Sequence, residues 1–87
     1  MSFKRLRTIR GSSLVIKTKE QFETVIKAEV TNGNGVPITR FEYNSERNEF
    51  VLNATSTTRL SGTYKYQISV TKGNVVETIQ YGIIEIM

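Results

Sequence analysis

Thr63-Tyr64-Lys65-Tyr66-Gln67-Ile68-Ser69-Val70-Thr71 alternates polar and apolar side chains without interruption. Tyr64, Tyr66, Ile68 and Val70 share one parity; Thr63, Lys65, Gln67, Ser69 and Thr71 share the other. Side chains on a strand repeat every second residue, so this is a strand with one buried and one wet face. Leu60-Ser61-Gly62 turns the chain into it. Lys72-Gly73-Asn74 turns it out into a second β-rich run, Val75 to Met87. The remainder of the chain must supply strands that pack against this hairpin.

In the last run Val75, Glu77, Ile79, Tyr81 and Ile83 share a parity, and after Gly82 the apolar pattern passes to Ile84 and Ile86. A parity change at a glycine predicts a bulge or bend there. On the N-terminal side of the hairpin, Gly11-Ser12-Ser13 is a break and Leu14-Val15-Ile16 opens a strand that runs to about Thr18. Phe22, Thr24, Ile26, Ala28 and Val30 then alternate with polar residues. Glu, Lys, Ala and Gln in that stretch favour a helix, but the β-branched Val25, Ile26 and Val30 and the period of two favour a strand. Asn32-Gly33-Asn34-Gly35 carries the residues that tight hairpins need, because they adopt positive φ at low steric cost. Pro37 opens a strand expected over Ile38–Tyr43, and Asn44–Asn48 turns the chain into one in which Phe50, Leu52 and Ala54 share a face. Thr55-Ser56-Thr57-Thr58 reads as a polar loop, with Leu60 plugging one end of the core. The expected core is Leu14, Ile16, Phe22, Ile26, Val30, Phe50, Leu52, Tyr64, Tyr66, Ile68 and Ile79.

Six to seven short strands with turns between them and no helix predict an all-β sandwich or small barrel. The chain has 87 residues, enough for one domain. There is no cysteine, hence no disulfide or sulfur-bound metal, and small domains without disulfides point to folding inside the cell. No apolar run approaches the ~20 residues that span a bilayer, and the N-terminus lacks the apolar segment of a signal peptide.

The net charge of +4 is unevenly placed. Lys4, Arg5, Arg7 and Arg10 lie in the first ten residues, which hold no acid, so the rest of the chain is balanced. Residues 1–10 are read as a basic N-terminal arm, extended, with one or two residues pairing at a sheet edge; a disordered tail is the competing reading. Residues 11–87 form the single sandwich domain. The arm residues Phe3, Lys4, Arg5, Leu6, Arg7, Ile9 and Arg10 are the candidate partner-binding set. Phe3, Leu6 and Ile9 would anchor while the cations meet acidic groups.

Leu60-Ser61-Gly62-Thr63-Tyr64-Lys65-Tyr66 has the spacing of the strand-F entry in immunoglobulin-like domains, where a tyrosine hydroxyl bonds backbone just upstream. Tyr66 stands where those domains carry their second disulfide cysteine. Over about Arg10 to Ile86 the chain resembles a family of small immunoglobulin-like domains of tailed-phage virion proteins. Examples are the N-terminal domains of baseplate upper proteins and related head or tail accessory proteins. Arg10-Gly11-Ser12-Ser13-Leu14-Val15-Ile16 carries the start of that pattern. Leu60, Gly62, Tyr64, Tyr66, Thr78, Gly82 and Ile83-Ile84-Glu85-Ile86 carry its end. The Asp-Leu-Thr-Gly segment usual between the family's first two strands is missing from Lys19–Phe22. The resemblance implies an immunoglobulin-like antiparallel β-sandwich. It implies a non-enzymatic structural protein of a capsid, head–tail junction or baseplate, bound to other virion proteins in an oligomer or symmetric assembly. It would be made in the host cytoplasm and have no cofactor, no membrane and no small-molecule substrate. Gly62, Tyr64, Tyr66 and Gly82 are its structural positions.

Catalytic chemistry is sparse, since the chain has no histidine and no aspartate. Glu42, Glu46 and Glu49 cluster across a turn and could form a glycosidase-like acid pair, but a solvated hairpin end with Arg47 as counter-charge accounts for them. The alternative function is a small basic nucleic-acid-binding β-barrel with Tyr43, Tyr64, Tyr66 and Tyr81 as stacking platforms. A carbohydrate-binding sandwich would need exposed aromatics, for which Phe41, Tyr43 and Tyr81 are free.

Overall fold

A computed structural model describes residues 2–87, with side chains from Phe3 onward. The alternating stretch is strand β7, Gly62–Lys72. Lys72 pairs with Val75 across the two-residue loop Gly73-Asn74, whose Gly73 takes a φ of +63°. Strand β8, Val75–Ile86, returns antiparallel along the whole of β7. On the other side of β7 lies β3, Thr24–Thr31, also antiparallel. The edges are β1, Ser2–Thr8, parallel to β8, and β4, Pro37–Arg40, antiparallel to β3. The five-stranded order is β1-β8-β7-β3-β4. A second sheet has the order β2-β6-β5, from Leu14–Lys17, Glu49–Leu52 and Glu42–Asn44. Two sheets with a shared apolar interior are compatible with an all-β sandwich.

The core is built from both inner faces. Ala28, Val30, Tyr66, Ile68, Val70, Ile84 and Ile86 come from the large sheet, and Ile16, Phe50 and Leu52 from the small one. Leu60 closes one end, as expected, at 9% exposure. Phe41 joins the two layers. The single strand expected over Ile38–Tyr43 is instead two strands in different sheets, with Phe41 buried at the crossing and its N–H donating to the Ala28 carbonyl at 2.7 Å. Its ring centroid lies 6.0 Å from that of Tyr66.

Three bulges redistribute the faces that simple alternation predicts. In β3 the register shifts between Val25 and Lys27, so Val25 packs on the core and Ile26 is 53% exposed. Ile26 therefore leaves the expected core. In β4 the shift sets Ile38 in solvent. In β8 the partner of Ile68 is Gln80 and that of Ser69 is Thr78, so the extra residue is Ile79. The break expected at Gly82 thus lies three residues earlier, and pairing runs without a shift through Tyr66↔Gly82. Gly82 already has the inward parity of Ile84 and Ile86; having no side chain, it conceals where the parity changes.

Residues 54–58 are a short helix, α1, not a loop. Asn53 caps it, its side-chain oxygen accepting from the Ser56 N–H at 2.9 Å. Thr57 is fully buried; its hydroxyl accepts from the Gly11 N–H at 3.1 Å and lies 2.8 Å from the Ser12 carbonyl oxygen. This ties α1 to the Gly11-Ser12-Ser13 turn. The Asn53 cap is local, but the helix's single buried hydroxyl depends on groups more than 40 residues away, which four polar residues in a row do not reveal.

The basic arm is the largest departure. All of Ser2–Thr8 pairs with Gln80–Ile86, where one or two residues were expected to pair. Beyond the strand, the Met87 N–H donates to the Thr8 carbonyl and the Arg10 N–H to the Met87 carbonyl. Leu6 packs against the core. The period-three apolar pattern misled because β1 uses a period of two: Leu6 faces inward while Phe3, Arg5 and Arg7 face out.

Gly82 makes this docking sterically feasible. A Cβ there would point at β1 and stand 1.8 Å from the Lys4 carbonyl oxygen. Gly82→Ala should cost about 1–3 kcal/mol in chemical denaturation, or detach β1 altogether. Gly33→Ala, where a Cβ meets nothing within 4 Å, should change stability by no more than about 0.5 kcal/mol. A Gly82→Ala protein that melts like the parent would show that β1 is not seated on Gly82.

The Tyr64 hydroxyl donates to the Ser61 carbonyl at 2.8 Å and accepts from the Ser61 N–H at 3.1 Å, with the ring half-buried. Tyr64→Phe should lower unfolding free energy by about 0.5–1.5 kcal/mol, the worth of one hydrogen bond. No loss on urea titration would mean that water replaces these contacts at no cost.

Candidate interaction face

Paired residues of neighbouring strands project to the same side of a sheet, so the registers define the outer face of the large sheet. One cross-strand row is Arg5, Ile83, Lys65, Thr31 and Pro37. The next is Phe3, Tyr81, Gln67, Glu29 and Arg40. Arg7 and Glu85 flank these rows at one end, and Lys27 at the other. Five cations stand against the two acids Glu29 and Glu85, a net +3 of the chain's +4. Glu85 is engaged by Arg7 at 3.1 Å and Arg5 at 3.8 Å. These are solvent-screened pairs of small energetic weight.

The rows enclose a hollow of about 380 Å³ floored by β7 and walled by Phe3, Tyr81, Lys27 and Lys65. Phe3 and Tyr81 meet edge to face with centroids 5.4 Å apart. Phe3 is 55% and Tyr81 37% exposed.

Of the predicted partner-binding residues, Phe3, Arg5 and Arg7 belong to this face. Lys4 and Leu6 have the opposite parity, and Ile9 and Arg10 lie beyond the strand. The structural positions are Gly62, at φ +101° opposite Ile86, with Tyr64, Tyr66 and Gly82 as described. Of the aromatics read as stacking platforms or as sugar-binding surface, Phe41 and Tyr66 are buried and Tyr64 is half-buried. Tyr43 packs on Phe50 at 4.7 Å and its hydroxyl accepts from the Phe22 N–H. Only Tyr81 of that set is on the surface, joined there by Phe3, which could be found only by knowing that β1 lies beside β8. Glu42 and Glu46 lie in solvent on the β5–β6 hairpin and its turn and Glu49 is half-buried, and among the described residues none of them forms an ion pair with Arg47. In the Asn32–Gly35 turn the Asn32 side chain accepts from the Asn34 and Val36 N–H groups, so turn geometry accounts for the motif.

Beneath the face, Tyr66 is held between the outer strands. The Gln80 amide donates to its hydroxyl at 2.8 Å, and the hydroxyl lies 3.4 Å from the Lys4 carbonyl oxygen. Burial pushes the Tyr66 phenol above its ordinary 10.0, and the Gln80 hydrogen bond partly opposes this. Lys72 is raised by its hydrogen bond to Glu20, but it lies in solvent and carries no stability inference.

Among the described residues no helix is long and apolar enough to cross a membrane. Neither a family model nor a curated protein matches this chain.

A raised phenol value favours the neutral form in the folded state. That stability is whole below pH 10.0 and is lost as pH rises from there through the folded value. Melting temperature should therefore fall more steeply above pH 10.0 in the parent than in Tyr66→Phe. Parallel melting-versus-pH curves for the two proteins would exclude Tyr66 as a source of alkaline lability.

Proposed function

We propose that this chain is a non-enzymatic, immunoglobulin-like subunit of a tailed-phage virion that joins neighbouring virion proteins through the edges of its large sheet. The immunoglobulin-like reading is supported by strand order. β2-β6-β5 runs as B-E-D, and β8-β7-β3-β4 as G-F-C-C′. β1 adds a parallel strand beside β8, making eight strands where six to seven were expected. Tyr64 is two residues before Tyr66 in the strand that corresponds to F, and its bond to Ser61 has the form of a tyrosine corner. A non-enzymatic role is supported by a chain without histidine, cysteine or aspartate. The virion assignment is supported by the resemblance carried by Arg10–Ile16 and Leu60–Ile86.

The observation that carries the edge-binding reading is the pair of bulge residues Ile26 and Ile38. Both are β-branched, both are in solvent (53% and 39%), and both line one shallow hollow at the β3–β4 edge. Because the chain leaves the sheet at Phe41, β4 pairs only with Glu29–Thr31, and the earlier half of β3 forms an edge of its own. Monomeric proteins blunt such edges with charges, whereas an apolar one is a template for a partner strand.

Ile38→Lys, placing a charge on an exposed site, should leave the melting of the isolated protein nearly unchanged, within about 0.5 kcal/mol. In phage particles purified by density gradient and analysed by mass spectrometry, the parent protein should be present and the variant depleted. Particles that contain no copy of the parent, or that incorporate Ile38→Lys normally, would overturn this reading.

A further inference from the structure

From the outer face of the large sheet we infer a binding site for single-stranded nucleic acid, with Phe3 and Tyr81 as a base-stacking platform and Arg5, Lys65 and Lys27 as phosphate contacts. This face adjoins the β3–β4 hollow, sharing Lys27 and Glu29 with it, but the inference does not depend on the edge-binding reading.

Sequence-tolerant single-strand sites combine a cationic track for the backbone with aromatic rings on which bases stack. Both elements occur here, in register. The aromatic row of Phe3 and Tyr81 lies two residues along the strands from the row of Arg5 and Lys65, a separation of ~7 Å. A nucleotide lying across the strands would therefore meet rings with its base and cations with its phosphate. Ile83, between Arg5 and Lys65, adds an apolar side chain to the lining of the hollow, and the Gln67 and Glu29 side chains project beside the rings. Among the described residues no acidic side chain comes within 4.0 Å of Lys27, Lys65 or Arg40, so three of the five cations keep their charge for a ligand. The charge complementarity is with a polyanion; the paired rings select, among polyanions, one with flat apolar groups. A duplex keeps its bases stacked inward, and an open sheet face inserts nothing into its grooves, so the single strand is the form that fits.

The basic character of this face is invisible when the chain is divided at Gly11, since the residues after it balance. Pairing of β1 with β8 moves Phe3, Arg5 and Arg7 onto the same surface as Lys65 and Tyr81.

Fluorescence anisotropy of labelled oligothymidylate and oligouridylate, with a duplex of matched length and heparin as competitors, tests the site. At about 50 mM salt both single strands should bind, weakening steeply as salt rises. The relative affinity of the two oligomers separates DNA from RNA as the source. Tyr81→Ala and Phe3→Ala, both at exposed positions, should each weaken binding roughly fivefold to a hundredfold, the worth of one stacked base, and Tyr81→Trp should restore it. Lys65→Ala should lower the salt slope by about 0.7, the contribution of one phosphate contact to a single strand. Circular dichroism of each variant guards against loss of fold. No binding at low salt would overturn the proposal. So would binding that heparin or duplex abolishes equally well while Tyr81→Ala and Phe3→Ala leave it unchanged, because charge alone would then account for it.

Discussion

Tyr66, Ile68 and Val70 on the inner face of β7 must be removed from water, and each is 3% exposed or less. Burying one such side chain is worth roughly 1.5–3 kcal/mol, so three in a row dominate the local energetics. Burial on this scale requires partners on every side. β3 and β8 satisfy the backbone of β7 to left and right. The small sheet supplies Phe50, Leu52 and Ile16 from below, and Phe41 fills the corner where the chain passes between layers. Removing β7 would leave each of these groups with an open side. The order of the sheets, the crossing at Phe41 and the plug at Leu60 all follow from closing this one face.

That closure is achieved with strands whose ladders are irregular. An extra residue at Ile26, Ile38 or Ile79 bends its strand and reverses which parity faces the core. The consequences differ by location. At Ile79 the bulge lies within the sheet and both Ile79 and Gln80 turn inward, one packing on the core and the other bonding Tyr66. At Ile26 and Ile38 the bulges lie at an edge, where apolar side chains are turned out to water. The same local defect thus completes the core in one place and exposes an apolar edge in another.

Charge is redistributed by the same means. Screened electrostatic interactions decay over about 8–10 Å at physiological salt, so cations reinforce one another only when folding brings them close. Lys27, Arg40 and Lys65 are far from Arg5 and Arg7 in sequence, yet their strands bring all five onto one sheet face. Glu85 neutralises part of this at the β1 end, while the rest of the face keeps an excess.

The sequence by itself determined that the chain is mostly β, that β7 and β8 form a hairpin, and that Tyr64 reaches back to backbone just upstream. These are local properties: a period of two, a two-residue turn, and a hydroxyl three residues from its partner. It also identified Ile16, Val30, Phe50, Leu52, Tyr66 and Ile68 as core, because regular alternation marks them. Only the tertiary structure decided the fate of residues 2–8, whose pairing with β8 depends on Gly82 leaving room for the Lys4 carbonyl. It alone decided that Ile26 faces water and that Ser56 and Thr57 belong to a helix. It alone joined Phe3 to Tyr81 on the outer face. The physical reason is common to all of these. A bulge, a strand docked from the far end of the chain and a buried hydroxyl bonded more than 40 residues away are set by non-local contacts, and such contacts leave no periodic trace in the residues that make them.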